Sequence, residues 1–163
     1  MFAADRQYND DGVKLTNHKA DQNAANAVLY EWTMFKWVSA EIERRNEAGQ
    51  IRDEVDNLLL EGLLLHTRIL KEFLQTSKTK RDDILAAHFL DDAETWNAKV
   101  KQLFPRIRDD SDRLNKKLAH LSYRRLEMCQ SWDVKLIYCE INDGWNEFIK
   151  ALDPERREWF VKE

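Results

Sequence analysis

Thirteen residues, RLNKKLAHLSYRR from Arg113 to Arg125, carry five lysines or arginines, one histidine and no acid. The chain around them is acidic on balance, with a formal net charge of -4. On a helical wheel at about 100° per residue, Lys117, His120 and Arg124 fall within about 40° of Arg113. Leu114, Leu118 and Leu121 fall on the other side. The stretch therefore reads as a helix with a leucine seam and a basic stripe. Arg113 and His120 stand two turns apart on that stripe. An arginine and a histidine so placed can serve one phosphate, the guanidinium holding its charge and the imidazole moving a proton. Lys116, Lys117 and Arg124 supply the electrostatic track for a polyanion backbone. Tyr123 is placed to stack a base or to pack. A solvated face is the common fate of a charge run on a helix, but such faces usually mix signs for i,i+4 pairing. This one does not.

The elements that must position the stripe are helical. Gly and Pro number four and two in 163 residues, so long uninterrupted helices are expected. A polar arm over residues 1–20 precedes a single domain over 21–163. The first helix starts near Asp21, with Leu29, Trp32, Phe35, Trp37 and Ile42 at roughly helical spacing, and ends at Asn46 to Gly49. A second, over about 51–76, is apolar around most of its circumference and belongs at the centre. A broken, charged segment follows, with Asp82 or Asp83 capping a short turn through Phe89. A third helix is expected over about 91–103, and a fourth, over about 107–128, carries the basic stripe. A fifth is capped by Ser131 or Asp133 and runs to Leu152. Asp153-Pro154 opens a short last helix, since proline suits the first helical position. The fold class is all-α, a bundle of four to five helices.

Composition removes several function classes. No glycine-rich phosphate loop exists. Cys129 and Cys139 are the only cysteines, with no metal spacing and no neighbouring histidine to act as base. No Glu-x-x-His constellation supports a di-iron site, and His88 with Asp91 and Asp92 has no third ligand at sensible spacing. No metal and no cofactor is expected. No apolar run approaches a membrane span and the opening residues do not form a secretion signal, so a cytoplasmic location is expected.

Arg113-x6-His120, with NKKLAHLSYRR around it and LLLEGLLLHTRILKEFL upstream, resembles the Arg-x(4–6)-His motif of HEPN domains. These are all-helical nucleotide-binding and ribonuclease modules. The resemblance covers about residues 51–128. It implies a metal-independent ribonuclease or RNA-binding domain with Arg113 on the phosphate and His120 as acid/base or as the group that orients the 2′-hydroxyl. It further implies a homodimer with a composite cleft, a toxin or defence setting, and an antitoxin or other protein partner. The family pattern places a polar residue directly after the arginine. Here Leu114 stands there and Asn115 follows, a departure that keeps a non-catalytic helical interaction module in view. In the second helix, His66 reads as a satisfied core histidine or as support for the motif helix. Glu61 and Arg68, within about 20° of each other on the wheel, read as an exposed pair or as shapers of the cleft.

Overall fold

The computed structural model describes residues 22–50, 53–75, 83–104 and 132–161. Within them lie five α-helices, α1 (Gln22–Glu47), α2 (Glu54–Gln75), α3 (Ala93–Val100), α4 (Val134–Ala151) and α5 (Pro154–Phe160), with a 3₁₀ turn over Ala86–Phe89 between α2 and α3. Among the described residues there is no strand. None of these helices is long and apolar enough to cross a membrane. The helix expected over about 107–128 lies outside the described residues, as does the arm over 1–20.

The α1–α2 hairpin is set by local chemistry. Gly49, at φ 63°, supplies the left-handed residue after α1. Its N–H donates to the Asn46 carbonyl and that of Gln50 to the Arg45 carbonyl, a pattern that satisfies the last turn of the helix. Asp53 and Asp56 then cap α2 reciprocally, each carboxylate accepting from the other's backbone N–H. Arg45 locks the two ends together. Its Nε donates to Asp56 at 2.6 Å and its Nη2 to Asp53 at 2.9 Å.

α1 buries Ala25, Val28, Trp32, Phe35 and Val38, and α2 buries Leu59, Leu63, Leu64, Leu70, Phe73 and Leu74. α2 packs against α1, the 3₁₀ turn, α3 and α4, but Val55, Leu58 and Leu65 on its other face are exposed, so its apolar circumference is not covered all round. Ser39 and Thr67 are buried polar exceptions. Each hydroxyl donates to a carbonyl one turn back, those of Phe35 and Leu63. Aspartates cap the remaining helices. Asp92, Asp133 and Asp153 accept from the backbone N–H of Thr95, Leu136 and Arg156. The end of the bundle is aromatic, with Phe148 of α4 ringed by Phe73, Phe89, Trp96, Trp145 and Phe160.

Three expectations need correction. Trp37 is exposed, because five residues from Trp32 is about 140° off the buried face. The short turn through Phe89 is entered from Leu85, not from Asp83, and Asp82 lies outside the described residues. α3 is shorter than 91–103. It ends at Val100, and the chain then turns into Phe104 at φ 63°.

Glu147 of α4 ties α3 to α4 through Lys99, and Lys150 one turn along α4 bonds the same carboxylate. The hydrogen bond from Lys150, then that from Lys99, holds its carboxyl down to about 2 against an ordinary 4.5. A carboxyl lowered on folding contributes in full above its unfolded value and ceases to contribute as pH falls through its folded one. The midpoint of thermal melting should therefore drop as pH is lowered from about 4.5 to about 2, with Glu41, Asp53 and Asp92 sharing the slope. Glu147→Gln should flatten that dependence. An unchanged slope in the variant would show that the carboxylate does not tie the two helices.

Candidate functional site

The residues that motivate the chemistry, Arg113, Asn115, Lys116, Lys117, His120, Tyr123 and Arg124, lie outside the described residues. Of the candidate residues that are described, His66 lies in a polar inset where α1 crosses α2. His66 is buried on α2, and its Nδ1 stands 2.6 Å from Glu31 Oε2 on α1. An ionised carboxylate only accepts, so with Glu31 ionised Nδ1 carries the proton and the imidazole is held in one tautomer. Tyr30 meets the ring edge-on, with centroids 6.5 Å apart. A carboxylate that fixes one imidazole nitrogen sets the role of the other. The same pair also satisfies a histidine in an otherwise apolar interface.

Both helices must be in register for this contact. The Arg45 clamp at one end of the hairpin and the Glu31–His66 pair toward the other fix it. Glu31→Ala should leave His66 buried without its acceptor and cost about 1–3 kcal/mol. Glu31→Gln, which keeps an acceptor, should cost less. Urea melts of the two variants check this. Equal stability of Glu31→Ala and the parent would mean the pair does not hold the hairpin.

Arg68 donates from Nε to Glu72 at 3.1 Å, an acid one turn further along α2. Glu61 is exposed on the same helix. The other residues weighed from the sequence have structural work. His88 Nδ1 accepts from the Leu85 N–H across the 3₁₀ turn. Asp91 accepts from Arg156, whose guanidinium also reaches the Phe89 carbonyl and so pins α5 to that turn. Asp92 is a helix cap. Cys139 is exposed. Among the described residues no group of three His, Cys, Asp or Glu side chains is arranged to hold a metal ion.

An open groove of about 360 Å³ runs between α1 and α5, lined by Asn26, Leu29, Tyr30, Trp32, Thr33, Lys36 and Phe160. The Lys36 ammonium lies 5.4 Å over the Trp32 ring, a cation–π contact at the groove's rim. Sequence reasoning missed Glu31. The signal available was an acid inside the aromatic run YEWTMFKW, where only a buried partner explains its place.

These features define a protein that is all-α among its described residues, with a part-buried carboxylate–imidazole pair where α1 crosses α2. No protein-family model, curated protein or solved structure matches the chain.

Proposed function

We propose that this chain is a HEPN-like RNA-binding protein that cleaves RNA without a metal. The observation that carries the reading is the acid-free strip from Arg113 to Arg125, with Arg113 and His120 two turns apart in an otherwise acidic chain. An all-helical fold among the described residues is the scaffold this reading requires. The reaction is transesterification. The RNA 2′-hydroxyl gives up its proton and attacks the adjacent phosphorus, and the bond to the 5′ oxygen of the next nucleotide breaks. His120 moves the proton and Arg113 holds the charge that gathers on the phosphoryl oxygens. Lys116, Lys117 and Arg124 hold the backbone on either side, and Tyr123 stacks a base. Asn115, Glu61, His66 and Arg68 support the cleft. DNA lacks the attacking hydroxyl and is not cut. The working unit is a homodimer in the cytoplasm, in a toxin or defence setting, with an antitoxin as the expected protein partner.

The test is cleavage of a mixed RNA substrate in EDTA. His120→Ala should reduce the rate by about 10²–10⁴-fold with the fold unchanged, and cleavage that survives it overturns the catalytic reading. Leu114, where HEPN motifs carry a polar residue, favours a second reading, a non-catalytic interaction module. That module would bind RNA or an acidic partner in a salt-dependent way without turnover.

A further inference from the structure

The hairpin of α1 and α2 carries a second apolar seam that its own core does not use. On α2, Val55, Leu58, Gly62, Leu65 and Ile69 follow one another in steps of three and four. On α1, Tyr30, Met34 and Trp37 do the same. That spacing is the one by which a helix packs against other helices. Yet Tyr30, Trp37, Val55, Leu58 and Leu65 keep between 46% and 59% of their surface open, or 68% at Leu58. The two seams lie side by side. Tyr30 touches the His66 ring across the helix pair, and the nearest atom to a Cβ built on Gly62 is Val38 Cγ2. Large apolar side chains exposed together on one hairpin mark an interaction surface more often than scattered ones do.

Gly62 is an independent sign. A glycine inside a helix costs about 1 kcal/mol relative to alanine. Here the added methyl would meet Val38 at 3.8 Å, an ordinary contact, so the hairpin's own packing does not require a glycine. A glycine midway between two exposed leucines lets another helix approach closely.

We infer that this face pairs with the same face of a second copy of the chain, α2 lying antiparallel to its counterpart across Gly62 and completing a four-helix layer with both α1 helices. The seam is self-complementary about its middle. An antiparallel two-fold sets Leu58 against Leu65 of the other copy and brings Arg68, near one end, within reach of Glu54, near the other. Two helices about 33 Å long and together about 20 Å wide offer about 600 Å² per copy. The total of about 1,200 Å² is at the lower bound of specific interfaces, so the dimer should dissociate on dilution. The inference rests on the homodimer of the proposed function and names its surface from described residues alone, and catalysis is tested apart from it.

Sedimentation velocity on the full chain from about 1 μM to about 1 mM decides it. The expected result is a concentration-dependent species of twice the 19.4 kDa chain mass. Leu58→Asp with Leu65→Asp should raise the dissociation constant at least about tenfold. Their open positions leave the thermal melt of the monomer in place. Glu54→Arg and Arg68→Glu should each weaken the dimer, and the two together should restore it. A chain that stays monomeric at the highest concentration overturns the inference and leaves the face to the chain's own remaining residues or to another protein. So does a dimer indifferent to the two aspartates. Failure of the double charge exchange to restore association overturns the antiparallel register. RNA cleavage is read separately, with His120→Ala, so loss of one conclusion does not carry the other.

Discussion

Phe148→Ala should remove about 3–5 kcal/mol of stability, the largest loss expected from any single truncation in the described core. The side chain is fully buried in the last turn of α4 and touches rings from four other elements. Phe73 comes from α2, Phe89 from the 3₁₀ turn, Trp96 from α3 and Phe160 from α5. Its contacts with Phe73, Phe89, Trp96 and Phe160 are edge-to-face, with centroids between 5.1 and 6.3 Å. Edge-to-face pairs add directional attraction to the burial of area. Truncation leaves a hole bounded by five stiff rings, which cannot collapse into it as flexible aliphatic chains would. The loss is a large share of the about 5–15 kcal/mol that holds a domain folded. Urea denaturation should show a lower midpoint with the slope unchanged. Phe148→Leu, which refills much of the volume, should lose less. A Phe148→Ala midpoint close to the parent's would show that the five elements do not converge on this ring.

Much of this fold is legible in the sequence because its boundaries are local. Asp133 ahead of Val134, Asp153 ahead of Pro154, and Gly49 after Glu47 each satisfy helix-end groups with atoms a few residues away. The packing of α2 against four other elements follows from its broad apolar surface, though not all of that surface is covered. What local pattern does not hold is which of several permitted readings tertiary contact selects. Trp37 fits a loose apolar rhythm but faces out once Trp32 and Phe35 fix the buried face. The 3₁₀ turn takes Leu85 at its entry because Ala86 and Phe89 must be buried against α2 and α5.

The candidate site divides along the same line. His66 is visible in the sequence as a polar residue on an apolar face, and what satisfies it there is a partner 35 positions earlier. Nothing in the spacing of α2 points to Glu31. Only the crossing of two helices brings them to 2.6 Å. Arg68 shows the reverse. Glu61 and Glu72 are both on its side of α2, and the i,i+4 acid is the one its Nε reaches. The basic strip from Arg113 to Arg125 is legible as chemistry because charge of one sign needs no tertiary context to be noticed. Its function rests on that chemistry and on the cleavage experiment.

The end of α3 gives the second large effect, and it turns on a glycine the sequence offers no reason to notice. Gly144 lies inside α4, where glycine is a poor helix former. A Cβ there would stand 2.1 Å from Phe104 Cζ and 2.6 Å from its Cε1. The ring of Phe104 fills the notch that Gly144 leaves in the helix surface. Phe104 is itself buried and held at φ 63°, a left-handed conformation that a bulky side chain rarely adopts. The burial of the ring outweighs that strain. Gly144→Ala should therefore destabilise by about 1–3 kcal/mol through overpacking, despite the gain of about 1 kcal/mol in helix propensity. In a Phe104→Ala background the notch is empty, and the same Gly144→Ala change should become stabilising. That reversal of sign separates a ring-in-notch contact from a general intolerance of α4 to substitution. If Gly144→Ala destabilises equally in both backgrounds, Phe104 is not what the glycine accommodates. If the sign reverses, the Phe104 ring seated in the Gly144 notch is what holds the segment after α3 against α4.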